Sequence, residues 1–212
     1  MNDELVLYTN PMSRGRIARW MLEEIGRPYR AEILEYGTTM KASAYLGLNP
    51  MGKVPTLRHG ATVVTEVAAI CAYLADVFPE AGLAPPVGSA LRGPFYRWMF
   101  FAAGPVEHAA TNKALGFIVP DERRGISGYG SFDDVVTVLD GLVSQNDYVL
   151  GATFSAVDVY LGSQIGWGMR FGTFPRLASF ERYWERISSR PAAVRAREID
   201  DALVAEREAA KG

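Results

Sequence analysis

The feature that most constrains the fold of this chain is Pro55, which opens a short apolar run. Because proline lacks a main-chain N–H, it fits a β-strand only at the first residue or on an edge. The preceding bond reaches the cis form at modest cost, and a cis Val54-Pro55 bond would turn the chain just before the strand. The main chain of Val54 would then face outward, where a peptide-like ligand can pair with it as an added strand. An ordinary turn before an edge strand is the alternative interpretation.

A hairpin and then a helix are predicted next. Thr56-Leu57-Arg58 and Ala61 to Val64 are strand-like, and His59-Gly60 is the predicted loop between them. Helical spacing follows, with Thr65 as a candidate N-cap. The unpaired N–H groups of the first helical turn predict an anion site, and Glu66 either pairs with a ligand ammonium or complements the helix dipole. These groups together suit a ligand with a peptide backbone, a carboxylate and an amine.

The stretch Asn49 to Leu57, together with Glu66 and the segment Ala69 to Asp76, resembles the glutathione-binding half of cytosolic glutathione transferases. In that family the residue before the cis-proline pairs with the cysteinyl main chain of glutathione, and an acidic residue followed by serine holds the γ-glutamyl group. By this resemblance, Val54-Pro55 and Glu66-Val67 take those places. Val67 departs from the family pattern, because the usual hydroxyl is missing there.

Composition narrows the classes of partner. The 212 residues are 49% hydrophobic and 22% charged, which is ordinary for a globular protein. A net charge of −2 without a basic run argues against nucleic acid or an anionic membrane as the main partner. A single cysteine, Cys71, and two histidines do not make a disulfide or a Cys- or His-rich metal site, so we expect no metal. The acidic start of the chain and the lack of a long apolar stretch predict a cytoplasmic protein.

The order of predicted elements indicates two domains. A strand over Glu4 to Tyr8, a helix over Ser13 to Ile25 and a strand over Tyr29 to Leu34 make the unit that builds a parallel strand pair. Pro79 to Pro94 is rich in proline and glycine, as linkers are, and only helical patterns follow it. By the resemblance, the fold class is an α/β thioredoxin-like N-terminal domain (residues 1–80) plus an all-α C-terminal domain (95–212), with a linker at 81–94.

Three features of the helical half follow from local sequence. Pro105 predicts a kink in a long aromatic helix over Phe95 to Gly116. Ser131-Phe132-Asp133-Asp134 and Ser155-Ala156-Val157-Asp158 both have the spacing of a capping box, with Asp in the reciprocal position. Because that role already accounts for Asp158, we interpret this residue as structural.

The residue that contacts the glutathione sulfur is expected just after the first strand, by the family resemblance. Ser13 follows Pro11 by two residues at the start of the first helix, which is the spacing of the serine-type members. Lowering a thiol pKa from about 8.5 by roughly two units needs about 2.7 kcal/mol, and a hydroxyl donor plus the helix N-terminus supply about that much. Asn10 is a second candidate, and Ser13 as a plain helix cap is the alternative. No cysteine lies in this turn, which argues against a mixed-disulfide mechanism.

The remaining site residues are expected around the two substrates. Lys53, inside the matching stretch, and Lys41 are candidates for the glycine carboxylate of glutathione, although a solvated surface position is the favoured interpretation of Lys41. The second substrate is expected between the domains, where aromatic residues would line an apolar pocket unless they serve as core or dimer surface. These residues are Trp98, Phe101, Pro105, His108 and Trp167.

The resemblance implies a homodimeric glutathione transferase that activates the glutathione thiolate for attack on a small electrophile, as in detoxification. Two alternatives stay open: a glutathione-dependent disulfide reductase, and a non-catalytic binding or regulatory protein of the same fold. Val67 favours the non-catalytic alternative, whereas Ser13 together with Glu66 argues against it.

Overall fold

The computed structural model describes residues 3–210, which form two compact units. The first unit holds residues 3–81 together with 189–210, and the second holds Gly82–Ser188. The predicted all-α domain extended to residue 212, but its last helix is grouped here with the first unit. This helix packs along the first helix of the chain, and a buried ion pair at 3.0 Å between Arg19 and Asp200 joins the two.

A mixed β-sheet forms the centre of the first unit. Its strands are β1 (Leu5–Thr9), β2 (Tyr29–Ile33), β3 (Thr56–His59) and β4 (Thr62–Thr65), in the order β2-β1-β3-β4. β1 runs parallel to β2 and antiparallel to β3, and β3 is antiparallel to β4. The helices of this unit are α1 (Gly15–Ile25), α2 (Ser43–Leu46), α3 (Val67–Val77) and α9 (Pro191–Ala209), with short 3₁₀ turns at Thr39–Lys41 and Pro79–Ala81.

The core of this unit lies where α1 and α3 pack against β1 and β3. Apolar side chains at helical spacing on α1 and α3 meet the apolar residues of the strands. This explains why apolar residues recur about every 3.6 positions in the helices and form nearly continuous runs in the strands. The fully buried members include Leu7, Ile17, Met21, Leu57, Ile70 and Leu74. Cys71 is buried among them, where it packs as a small apolar residue.

Two local predictions in this unit were wrong by one residue. His59 pairs with Thr62, so the hairpin loop is Gly60-Ala61 rather than His59-Gly60. Gly60 adopts a φ of 56°, which glycine reaches without steric cost, and this places the turn after His59. Thr65 is the last residue of β4 and not the helix cap, because Glu66 occupies the N-cap position of α3.

The second unit is built of helices. They are α4 (Arg92–Phe101), α5 (Glu107–Leu115), α6 (Phe132–Gln145), α7 (Ala156–Arg170) and α8 (Ala178–Ser188), with a 3₁₀ turn at Asp121–Arg123. α4 begins inside the predicted linker. A single turn of π-helix, the π-turn, covers Ala102–Val106, joins α4 to α5 and contains Pro105. The regular α-helix is therefore interrupted at the proline for which the sequence predicted a kink. Within residues 3–210, no helix has the length and apolarity needed to cross a bilayer.

Both predicted capping boxes are present, in different surroundings. Ser131 and Asp134 cap α6 at an exposed position, whereas Ser155 and Asp158 cap α7 inside the protein. The Asp158 carboxylate also accepts hydrogen bonds from the Val149 N–H at 2.8 Å and from the Tyr183 hydroxyl at 2.9 Å. Burial raises the pKa of Asp158 above its ordinary value, and these hydrogen bonds oppose that shift. The structural interpretation of Asp158 is confirmed.

The predicted fold class is likewise confirmed. The first unit has the strand–helix–strand and hairpin–helix order of a thioredoxin-like domain, and the second unit is helical.

Candidate functional site

Strand register brings three separate segments of the first unit to one end of the sheet, where β1 and β4 end and β3 begins. Tyr8 on β1 is paired with Thr56 on β3, and Thr56 is paired in turn with Thr65 on β4. The chain that leaves β1, the chain that enters β3 and the chain that leaves β4 therefore lie side by side. These chains carry Asn10 to Ser13, Val54-Pro55 and Glu66-Val67, the three segments to which the family resemblance assigned contacts with glutathione.

The turn after β1 places Asn10 and Ser13 in different roles. Asn10 is 1% exposed, and its side chain donates to the Leu34 carbonyl at 2.7 Å and accepts from the Met12 N–H at 2.9 Å. Ser13 is half-buried, and its hydroxyl donates to the Asn10 carbonyl at 2.7 Å and accepts from the Gly15 N–H at 2.9 Å. Asn10 thus holds the turn together, while Ser13 presents a partly accessible hydroxyl at the start of α1.

Thr9 and Tyr8 are the other two polar residues at the end of β1. Thr9 is fully buried, and its Oγ1 has no hydrogen-bond partner in the described part of the chain. A Cβ at Gly15 would lie 1.9 Å from Thr9 Oγ1, so only glycine lets α1 start this close to the strand. The ring of Tyr8 packs against that of Tyr45, with centroids 5.7 Å apart.

Two buried side chains shape the loop before β3. The Lys53 carbonyl accepts hydrogen bonds from the Tyr45 hydroxyl and from Asn49 Nδ2, the latter at 2.9 Å. Asn49 Oδ1 also accepts from the Met51 N–H at 3.1 Å, which closes the loop on itself. Burial raises the pKa of Tyr45, so its hydroxyl remains a neutral donor.

Val54 follows this loop directly, and its bond to Pro55 is cis. The residue is half-buried, and no hydrogen bond from elsewhere in residues 3–210 reaches its main chain. Its N–H and C=O are therefore available to an extended ligand.

Both candidate lysines lie beside this loop. Lys53 is exposed one residue before Val54. Lys41 is also exposed, but it does not simply extend into water, because its Nζ donates to the Met51 carbonyl at 3.0 Å. Gly52 adopts a φ of 56°, and a Cβ there would lie 2.7 Å from Lys41 Nζ. The Lys41 ammonium group thus lies against the short segment of main chain that precedes Lys53.

The start of α3 combines an unusual backbone with unpaired N–H groups. Glu66 adopts a φ of 65°, which is rare for a residue other than glycine and is often associated with functional sites. Its side chain is exposed, and within the described residues no side chain caps this helix. Val67, the first helical residue, is 8% exposed. The first-turn N–H groups therefore face an open position beside a carboxylate.

The aromatic residues predicted for the second substrate lie in the second unit. Trp98 and Phe101 on α4 meet edge to face at 5.5 Å. His108 on α5 lies with Nδ1 2.9 Å from the Gly104 carbonyl, inside the π-turn that contains Pro105. Trp167 is half-buried on α7, which packs against α4 and the π-turn. Four of the five residues therefore lie along one continuous helical segment, and the fifth lies on its neighbour.

The sequence did not predict the roles of three residues that shape the site. Asn49 and Tyr45 hold the loop before Val54, and Arg16 on α1 donates to the Pro11 carbonyl within the Ser13 turn. Asn49 lay inside the recognised stretch, so its position was a usable signal. Tyr45 and Arg16 carried no local signal, because their partners are distant side chains and main-chain carbonyls.

An open cavity of about 710 Å³ lies at the other end of the same sheet. It is bordered by Leu5, Tyr29 and His59, which are paired in register, and by Arg27 and Arg30. Arg27 forms an ion pair with Glu80, and Arg30 forms one with Glu4, so neither cation awaits a ligand. The three segments described above lie at the opposite end of the sheet.

Comparison with known proteins points to one family. Residues 12–77 match the family model described as the N-terminal domain of glutathione S-transferase. A curated relative, glutathione S-transferase hmp2 of Hypomyces subiculosus, is 26% identical over 206 residues, which are 90% of this chain and 96% of the relative.

Solved structures of the same family have the same fold. A glutathione transferase from Methylococcus capsulatus superposes with a TM-score of 0.76 and 27% identity, over 93% of this chain and 99% of the other. A sphingomonad glutathione S-transferase complexed with glutathione superposes with a TM-score of 0.74 and 27% identity, over 92% and 98% of the two chains.

Proposed function

Because the chain belongs to the cytosolic glutathione transferase superfamily, we propose that it binds glutathione and activates the thiolate at the end of the sheet where the three segments meet. The thiol releases its proton, the sulfur then forms a bond to an electrophilic carbon, and any leaving group departs with the electron pair of its own bond. The observation that carries this proposal is the Tyr8–Thr56–Thr65 register, which aligns the three predicted contact segments.

The segments supply a complementary partner for each part of glutathione. The main chain of Val54 pairs with the cysteinyl residue as a short added strand. The Glu66 carboxylate meets the γ-glutamyl ammonium, and the first-turn N–H groups of α3 meet its carboxylate. Lys41 and Lys53 provide positive charge for the glycine carboxylate at the other end of the peptide.

Ser13 is the proposed donor to the sulfur. Its hydroxyl now donates to the Asn10 carbonyl, a neutral acceptor, so it must rotate when the thiolate arrives. A hydrogen bond to a charged acceptor contributes about 1.5–3 kcal/mol against about 0.5–1.5 kcal/mol for a neutral one, which favours the rotation. The N-terminus of α1 adds partial positive charge at the same point.

The second substrate is a small apolar electrophile in this proposal. Phe101 and Trp167, together with Pro105, supply apolar surface, and His108 supplies one polar group. Trp98 supports Phe101 from behind, because it is 7% exposed and the Arg97 guanidinium lies 4.1 Å from its ring centroid. Asn10 is a weaker candidate for contact with the sulfur, because both ends of its amide are engaged in the turn. This engagement disfavours the disulfide-reductase alternative, in which Asn10 would act on the sulfur. We further propose that the protein is a cytoplasmic homodimer.

Calorimetric titration with glutathione tests the proposal. The wild-type protein should bind glutathione, and Glu66→Ala should weaken binding about tenfold or more by removing the partner of the ligand ammonium. Glu80→Ala is the matched control, since Glu80 is also an exposed glutamate of the first unit but pairs with Arg27 at the opposite end of the sheet. Absence of binding by the wild-type protein, or equal effects of the two substitutions, would refute this assignment.

A further inference from the structure

Arg16 links the Ser13 turn to the C-terminal helix. Its Nε donates to the Pro11 carbonyl, and its Nη1 donates to the Asp201 carboxylate on α9 at 2.7 Å. The two partners are far apart in sequence but belong to the same compact unit. One guanidinium therefore bridges a residue within the turn and a residue near the end of the chain.

The Pro11 carbonyl lies inside the turn that carries the hydroxyl. The Ser13 N–H donates to the Asn10 carbonyl at 3.1 Å, which closes the turn, and Pro11 is its second residue. Asn10 fixes the turn from one side through its contacts with Leu34 and Met12. Arg16 fixes it from the other, since its planar guanidinium can serve two acceptors at a set angle.

The C-terminal helix holds Arg16 in place through a rigid neighbour. Asp200 is buried against Arg19, one turn further along α1 from Arg16. Breaking a buried pair of this kind is costly, so the pair fixes the register between α9 and α1. Asp201 is 58% exposed and contributes little stability of its own. Its effect is to orient the guanidinium that the register has brought to it.

A second contact from α9 reaches the other side of the turn. Arg207 forms an ion pair with Glu35. Glu35 follows Leu34, whose carbonyl accepts the hydrogen bond from Asn10. The helix thus contacts both supports of the turn, the arginine on α1 and the loop after β2.

We propose that Arg16, oriented by Asp201, is a positioning residue for the Ser13 hydroxyl, so that the C-terminal helix takes part in thiolate activation. This inference rests on the proposed function. Without the Arg16 donor, the Pro11 carbonyl turns toward water and the turn samples more conformations. The Ser13 hydroxyl then spends less time at the sulfur, and the thiol of bound glutathione becomes a weaker acid.

Another link between the same helices provides a matched control. Arg195 on α9 forms an ion pair with Glu23 on α1 at 3.2 Å and also reaches the Glu23 carbonyl. It joins α9 to α1 as Arg16 does, but it contacts the C-terminal part of α1 rather than the Ser13 turn. Arg195→Ala therefore reports the effect of loosening α9 without releasing the turn.

The test is a pH titration of the thiolate absorbance of bound glutathione, with a melting curve for each variant. Arg16→Ala should raise the thiol pKa by about half a unit to one unit, which is a three- to tenfold smaller acidity constant, the change expected for one hydrogen bond. Asp201→Ala should have a smaller effect, about twofold, and should add nothing to Arg16→Ala. Arg195→Ala should lower the melting temperature and leave the thiol pKa unchanged.

Arg16→Lys separates geometry from charge. A lysine keeps the positive charge but has a single ammonium in place of the fork, so it should not restore the wild-type pKa. Full restoration by lysine would replace positioning with a simple charge effect and overturn the inference. Should Arg16→Ala fail to fold, Asp201→Ala decides alone, and an unchanged pKa there contradicts the proposal.

The outcomes also distinguish this inference from the function on which it rests. A wild-type protein that binds no glutathione, or binds it without lowering the thiol pKa, would refute both. A wild-type protein with a lowered thiol pKa that Arg16→Ala leaves unchanged would refute only the role of Arg16.

Discussion

The Ser13 hydroxyl donates to the Asn10 carbonyl at 2.7 Å and accepts a hydrogen bond from the Gly15 N–H at 2.9 Å, so both of its contacts lie within its own turn. An incoming thiolate must compete with an acceptor inside the protein. The competition favours the thiolate because its charge strengthens the bond, whereas a neutral thiol offers no such advantage. In the proposed function, this arrangement selects the ionised form of the sulfur.

The first prediction concerns Val67, where the chain departs from the family pattern. Val67→Ser should tighten glutathione binding by about ten- to a hundredfold, since a hydroxyl hydrogen bond to the ligand carboxylate contributes about 1.5–3 kcal/mol. The N–H groups of α3 are present in both proteins, so the wild-type protein should still bind. Calorimetry with the two proteins measures the difference.

Val67→Ala is the control for lost packing, because Val67 is 8% exposed and its methyl groups contact the interior. Alanine should not tighten binding. If serine binds no better than valine and Glu66→Ala also has no effect, then the start of α3 is not the γ-glutamyl site.

The second prediction compares the two capping boxes. Asp158→Ala should lower the free energy of unfolding by at least about 3 kcal/mol, because several buried donors lose their acceptor at once. Asp134→Ala removes the same motif from the exposed start of α6, where water can replace the carboxylate, and should cost much less. Chemical denaturation of both variants tests this, and equal losses would show that burial does not set the difference.

The third prediction concerns pH. Burial raises the pKa of Cys71 from 9.0 to about 12. The native thiol keeps its proton between these values while the unfolded chain loses it, so this contribution is complete below pH 9 and is lost as pH rises. The free energy of unfolding should fall by up to about 1.4 kcal/mol more per pH unit in the wild-type protein than in Cys71→Ala.

Denaturation curves of the two proteins across this alkaline range give both slopes. The native wild-type protein should also resist thiol reagents near neutral pH and react once unfolded. Parallel slopes together with rapid labelling of the native protein would show that the thiol is not protected.

The fourth prediction is the homodimer. Apolar side chains remain exposed in both units, among them Met51 and Phe100, and such surface is often covered in an assembly. Sedimentation at micromolar concentration should give twice the mass of the chain. A monomer under those conditions would contradict the expectation.

Local patterns predicted much of the fold, because they depend on neighbouring residues. Proline at 55 and 105 and the serines of the two capping boxes act through their own backbone or through partners three residues away. The hairpin loop was misplaced by one residue because only the pairing of His59 with Thr62 distinguishes the two registers. The positive φ of Glu66 had no signal at all, since glutamate does not favour it.

Long-range relationships could not be predicted in this way. Nothing near Arg19 or Asp200 indicates that they pair across the packed helices α1 and α9 of the first unit. The same holds for Arg16 and its two acceptors. The sequence thus suggested candidate site residues, whereas the residues that hold these candidates in position depend on tertiary contacts.

The proposal that the Ser13 hydroxyl stabilises the glutathione thiolate is tested most directly by the thiol pKa of bound glutathione. This pKa is read from thiolate absorbance against pH in the wild-type protein and in Ser13→Ala. In the wild-type complex the thiol pKa should lie roughly two units below its ordinary value of about 8.5. Ser13→Ala should raise it by about one to two units, the equivalent of one hydrogen bond to a charged sulfur, and change glutathione affinity only a few fold. If the thiol pKa is unchanged in Ser13→Ala and rises instead in Asn10→Ala, the assignment of Ser13 as the donor to the sulfur is contradicted.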